Sequence, residues 1–255
     1  DTAWGYGEGH SEEMLGACVR RHSSKKIYTA SKIPPKNFKW PAKPHYTLED
    51  SYPASHILEY TNRTLKNLGL EQIDLMQFHT WDDGWAHCEE WQRTVEELKT
   101  SGKIAAMGIS VNRWEPENGI LALKTGFIDA VQVIYNIFDQ APEDLLFPLC
   151  EKMDIGVIAR VPFDEGTLTG TITKETTFPE GDWRGTYFVP ENLIASVDKA
   201  DALRPIIPQE MTMAEMALRF ITMNNVVSSI IPGMRKERNV LSNTSTSDGK
   251  GLSEK

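Results

Sequence analysis

Asp1-Thr2-Ala3-Trp4-Gly5-Tyr6-Gly7-Glu8-Gly9-His10-Ser11-Glu12 opens the chain. An acid, a tyrosine five residues on and a glycine-rich turn precede a helix start. Ser11 is the expected N-cap, with Glu12 and Glu13 in the first turn, where acids suit the helix dipole. A tyrosine hydroxyl gives up its proton to a carbonyl oxygen only if its pKa is drawn down from about 10. A nearby cation does this, and a carboxylate can hold the cation in place. Two downstream residues meet these demands, each at the end of an apolar strand. Lys32 ends Ile27-Tyr28-Thr29-Ala30-Ser31, and His79 ends Ile73-Asp74-Leu75-Met76-Gln77-Phe78. Beside Asp1 and Tyr6, Lys32 and His79 are the candidate site residues.

The pattern D-T-A-x-x-Y-G-x-G-x-S-E, followed by a strand-end Lys and a strand-end His, resembles the aldo-keto reductases. The likeness runs over nearly the whole chain and keeps the motif order. It implies an α/β fold, the (β/α)8 TIM barrel, with NADPH as cofactor, and a single domain over residues 1–255. Asp1 would then stand at the tip of the barrel's second strand. Strand 1, helix 1 and most of strand 2 would lie outside this sequence, and the polar tail Leu252-Ser253-Glu254-Lys255 would stop short of the family's usual end. An open barrel exposes strand edges and apolar core, so further chain before Asp1 is expected.

The 255 residues, 25% of them charged, suit one soluble domain. The net charge of −9 argues against nucleic-acid or anionic-membrane partners, though not against a local basic pocket for a phosphate. No run approaches the roughly 18 apolar residues of a membrane span, and the start carries no signal pattern. Cys18, Cys88 and Cys150 are scattered without metal spacing and read as reduced thiols of a cytoplasmic protein. Cys88, beside a loop on the expected active face, reads as a spectator.

Along the chain, strands are expected at 25–32, 73–78, 104–110, 128–135, 155–161 and 226–231. Helices are expected at 11–22, 55–68, 89–99, 116–124, 142–153, 190–204 and 212–224, with Gly69 as a helix stop. Residues 33–53 carry five prolines and several aromatics and follow a strand, on the face where barrel enzymes do chemistry. Trp40 from this loop and Trp81 after His79 are the expected substrate contacts; with Trp85 they suggest an apolar, aromatic-tolerant pocket.

The resemblance also assigns a cofactor site. Ser110, Asn112 and Gln132 match family positions that hold the nicotinamide carboxamide, a group needing both donors and acceptors. Arg160 stands near where many relatives carry an aromatic that stacks on nicotinamide. Its planar face can stack, or it can turn outward to an acid. Pro162, Phe163, Glu165, Gly166, Leu168 and Gly170 resemble the loop over the pyrophosphate, and the stretch to about Phe188 reads as a mobile cover. Ile231, Gly233, Arg235, Asn239 and Asn243 resemble the adenosine site, with Arg235 placed to fork onto the 2′-phosphate of NADPH. Ser242 stands where many relatives have Glu. Gly7 and Gly9 form no dinucleotide fingerprint, since the preceding βαβ context and the later ribose acid are lacking.

The expected activity is reversible hydride transfer between NADPH and an aldehyde or ketone. The substrate's identity and the oligomeric state stay open. A cofactor-binding sensor of the same fold with little turnover, or an inactive fragment, are the rival readings.

Overall fold

The computed structural model describes residues 1–252; Ser253–Lys255, the end of the polar tail, lie outside the described residues. Two compact units divide the chain: residues 1–133 with 141–157, and residues 134–140 with 158–255.

The first unit alternates strand and helix. Its elements are α1 (His10–Arg21), β1 (Ala30–Ile33), α2 (Leu48–Ser51), α3 (Ala54–Leu68), β2 (Ile73–Phe78), α4 (Glu89–Thr100), β3 (Ile104–Ser110), α5 (Ile120–Lys124), β4 (Ala130–Ile134) and α6 (Leu146–Met153). β1, β2, β3 and β4 pair in parallel in chain order, with Lys32 opposite Gln77, Gln77 opposite Gly108 and Ser110 opposite Gln132. The opening stretch lies beside β1, through Thr2 N–H to the Ala30 carbonyl (2.9 Å) and Trp4 N–H to that of Lys32 (3.4 Å).

α3 forms because Ile57, Tyr60, Thr61, Thr64 and Leu68 recur on one buried face, and Gly69 ends it in the left-handed conformation. α1 lies directly on it. A side chain at Gly16 would meet the Leu68 carbonyl oxygen at 2.1 Å, so only glycine permits this approach. Beneath the end of β2, Phe78, Trp81, Trp85, Trp91 and Tyr52 form an aromatic block. Each indole N–H there is satisfied: Trp81 by Asp83, Trp85 by the Tyr46 carbonyl, Trp91 by the Trp85 carbonyl. That satisfaction lets such rings be buried at little polar cost.

Several expected boundaries move. Ser11 is not the N-cap; Gly9 is, and the Ser11 hydroxyl accepts from Thr2 Oγ1. The strand expected from residue 25 begins only at Ala30, because Thr29 gives both its N–H and its hydroxyl to the Asp74 carboxylate. The proline-rich loop contains α2, nucleated by a capping box between Thr47 and Asp50. The helix expected from 116 starts at Ile120, and the one from 142 is a 3₁₀ turn at Ala141–Glu143 followed by α6.

Glu12 is wholly buried and accepts from Ser31 Oγ (2.5 Å), Thr64 Oγ1 (2.8 Å) and Asn67 Nδ2 (2.7 Å), tying α1 to β1 and α3. Glu12→Ala leaves these donors without their acceptor. It is expected to lower unfolding free energy by roughly 3 kcal/mol, read as a lower midpoint in urea denaturation; an unchanged midpoint would refute the role.

The second unit carries β5 (Gly156–Arg160) from Ile158 onward, α7 (Arg184–Tyr187), α8 (Pro190–Leu203), α9 (Met213–Thr222), β6 (Val227–Ile230) and α10 (Glu237–Thr244). β5 and β6 are sheet neighbours, joined just past β6 by Ile231 N–H to the Ala159 carbonyl (3.0 Å). Leu168, Ala200, Met213 and Ala217 form one buried cluster; Ile172, Phe188, Leu193 and Val197 form another. The methionines of α9 are core filling, as their helical spacing predicts. Among the described residues no helix is long and apolar enough to cross a membrane.

Candidate active site

Within the first unit the four expected catalytic residues come together. Lys32, wholly buried at the end of β1, places its Nζ 2.6 Å from Asp1 Oδ1 and 2.8 Å from the Thr2 carbonyl oxygen. The same Nζ stands 5.5 Å from the centre of the Tyr6 ring. The Tyr6 side chain is 50% exposed, open to an incoming molecule, and its ring meets that of His79 edge-on at 5.8 Å. His79 follows β2, its N–H bonded to the Ile33 carbonyl at 3.0 Å. Trp40, 45% exposed, meets the imidazole edge-on as well, at 5.5 Å. One face thus presents a phenol, an imidazole and an exposed indole over a buried ammonium–carboxylate pair.

Trp81 does not share that face. It is 0% exposed, stacked on Phe78, with its indole N–H given to Asp83, so it supports the site from below instead of lining it. The three expected carboxamide residues are buried. Asn112 is already engaged: its Oδ1 accepts from Ala42 N–H and Thr80 Oγ1, and its Nδ2 reaches the Ala42 carbonyl and Glu115. Gln132 donates to Asp1 Oδ2 at 3.2 Å. Gln77 was passed over in the sequence and donates to that same oxygen at 3.3 Å. An amide buried within an apolar strand was the signal for it.

Within the second unit a cleft of about 680 Å³ is lined by Pro162, Phe163, Glu165, Gly166, Ile231, Gly233, Asn239 and Asn243, all expected there. Its volume lies within the range of about 300–1,000 Å³ usual for small-molecule sites. Thr169, Thr171, Thr212, Arg238 and Ser242 line it as well. Asn243, buried, reaches the Gly233 carbonyl at 3.4 Å. Arg238 and Asn239, in the first turn of α10, line the cleft, so a positive side chain and the positive end of the helix dipole stand at its wall, where an anion is favoured. These groups fit a phosphorylated dinucleotide.

Other expected contacts stand elsewhere. Leu168 is in the apolar cluster and Gly170 caps the short 3₁₀ segment at 164–169. The cleft wall begins at Val161, one residue beyond Arg160. Arg235 is exposed and outside the lining. Its charge acts on Asp182, whose carboxyl is drawn down to about 2, chiefly by a hydrogen bond from the Arg184 side chain and only slightly by Arg235. The basic run Arg235-Lys236-Glu237-Arg238 was visible in the sequence. Which arginine faced the cleft depended on where α10 begins.

The sequence profile described as the Aldo/keto reductase family matches residues 1–254. The chain belongs to the aldo-keto reductase family. It is 27% identical over 254 residues to the NADH-specific methylglyoxal reductase of Escherichia coli (strain K12), covering 95% of this chain and 76% of that protein. It is 30% identical over 186 residues to aldo-keto reductase YhdN of Bacillus subtilis (strain 168), covering 71% of this chain and 52% of that one. Among solved structures, the holo form of aldo-keto reductase AKR11C1 from Bacillus halodurans aligns with a TM-score of 0.76 at 25% identity, over 99% of this chain and 78% of that one. Glycerol dehydrogenase AKR11B4 from Gluconobacter oxydans aligns with a TM-score of 0.74 at 28% identity, over 99% and 76%. The chain is thus an α/β oxidoreductase of the TIM-barrel class.

Proposed function

We propose that this aldo-keto reductase reduces aldehydes or ketones to alcohols with NADPH, and runs the reverse reaction. One observation carries the reading: Asp1, Lys32, Tyr6 and His79 share one face, with the ammonium buried and the phenol open. Bound NADPH supplies the hydride. Tyr6 gives its hydroxyl proton to the carbonyl oxygen as negative charge builds there, and His79 offers that oxygen a hydrogen bond. Lys32 eases loss of the Tyr6 proton by favouring the phenolate, and Asp1 keeps the ammonium charged and in place. Trp40 gives the substrate an apolar wall, which favours carbonyl compounds with apolar or aromatic groups. The three cysteines are free thiols, in keeping with a cytoplasmic setting.

The choice of NADPH rests on α10. Arg238 in the cleft, not Arg235 outside it, is the proposed grip on the 2′-phosphate, with Asn239 and Asn243 toward the adenosine. The Escherichia coli relative is named NADH-specific, so both cofactors are compared, by quenching of tryptophan fluorescence and by turnover of a panel of aldehydes. Arg238→Ala is expected to weaken NADPH binding about tenfold or more, the loss of one charged hydrogen bond, and to leave NADH binding nearly unchanged. Arg235→Ala is expected to change neither. If Arg235→Ala alone removes the preference, the grip is Arg235. If neither cofactor binds the unaltered protein, the enzymatic reading fails.

A further inference from the structure

Gln77 sits in the middle of the site's support, behind the Asp1 carboxylate. It is wholly buried. The strand register sets it directly between Lys32 on β1 and Gly108 on β3, so all three share one row of the sheet. Its Nε2 donates to Asp1 Oδ2 at 3.3 Å, and its Oε1 accepts from Gln132 Nε2 at 3.4 Å. Gln132 reaches the same Asp1 oxygen at 3.2 Å, while Lys32 takes the other, Oδ1, at 2.6 Å. A carboxylate's terminal torsion is broad. Held by an ammonium on one oxygen and two amides on the other, this one is confined to a single orientation.

Gly108 gives independent support. A methyl group there would lie 3.0 Å from Gln77 Cγ and 3.0 Å from the Ala130 carbonyl oxygen. The missing side chain leaves the space in which the glutamine stem lies.

We propose that Gln77 is a positioning residue for the proton-donating step: it fixes the Asp1 carboxylate in the orientation that keeps the Lys32 ammonium beside Tyr6. The inference rests on the carbonyl-reductase reading above. Without the Gln77 amide, Asp1 can rotate and Lys32 follows it. The Tyr6 phenolate then loses part of its stabilisation, and Tyr6 ionises at higher pH.

The test is a spectrophotometric titration of phenolate absorbance. The Tyr6 signal is the difference between each protein and its Tyr6→Phe counterpart, in the unaltered and the Gln77→Met backgrounds. Gln77→Met keeps the length and apolar volume and removes the amide. The Tyr6 midpoint is expected to rise by roughly half a pH unit or more. In turnover, kcat falls several-fold, its alkaline limb moves up in pH, and KM for the aldehyde stays put. Gly108→Ala, which crowds the Gln77 stem, moves the midpoint in the same direction. Gln77→Glu recovers activity as pH falls and its acid becomes a donor. A purely structural role would lower the melting temperature without moving the midpoint. An unmoved midpoint in Gln77→Met overturns the proposal; should that variant not fold, an unmoved midpoint in Gly108→Ala does so. The titration needs no substrate, so failure to reduce any aldehyde counts against the reaction, and an unmoved midpoint only against Gln77.

Discussion

Tyr6→Phe is expected to lower kcat for carbonyl reduction by about 10²- to 10⁴-fold, the usual contribution of a positioned general acid. NADPH-induced quenching of tryptophan fluorescence should stay nearly unchanged. The substitution deletes one hydroxyl and keeps the ring, so the edge-on contact with His79 survives. The side chain is half exposed and adds little to the core, so stability should change by no more than about 0.5 kcal/mol. What remains is an imidazole that can hydrogen-bond the carbonyl oxygen, and residual turnover should reflect that. The effect belongs in kcat because the proton is needed as charge develops, not when substrate binds. Steady-state kinetics over a range of aldehyde concentrations decide the matter. Turnover comparable to the unaltered protein would remove Tyr6 as the acid.

Much of the candidate site was legible because its residues sit at strand ends. Lys32 and His79 stood out as polar residues closing apolar runs, and a parallel sheet brings such positions to one edge. The register of β1 and β2 was not legible, and with it the pairing of Lys32 with Gln77. Nothing in a single strand says which residue of its neighbour lies opposite. Trp81 misled for a related reason: a tryptophan two residues past a candidate catalytic histidine reads as a pocket wall, but Phe78 offered it a stacking partner and Asp83 an acceptor for its N–H. Burial therefore won. Arg235 lies just before α10 and Arg238 in its first turn, and only the start of that helix decides which lines the cleft. Thr29 shortened β1 through a side-chain bond to Asp74, a contact 45 residues away that local propensity cannot anticipate.

Lys32→Met should damage turnover and stability together, which separates it from Tyr6→Phe. The ammonium is fully buried, and the Asp1 side chain beside it is only 12% exposed. Removing the cation leaves a largely desolvated carboxylate with the two longer amide contacts from Gln77 and Gln132. Breaking a buried pair in this way costs roughly 3–5 kcal/mol. The lower end is expected, because those amides and the remaining solvent access still stabilise the charge. The pH dependence follows from the same charge. The unpaired Asp1 carboxylate is the source of the penalty, so the deficit relative to the unaltered protein is full at neutral pH. It shrinks as pH falls toward about 4, where an ordinary aspartate takes up a proton. Turnover should fall by orders of magnitude at every pH, since Tyr6 has lost the cation that favours its phenolate. The double variant Asp1→Asn with Lys32→Met sharpens the argument: with the charge gone it should regain part of the stability and none of the turnover. Urea denaturation at two pH values, with turnover measured on the same samples, reads both effects. If the single variant unfolds at the same midpoint as the unaltered protein and keeps its activity, Lys32 neither holds Asp1 nor serves Tyr6, and the catalytic role of the pair falls with it.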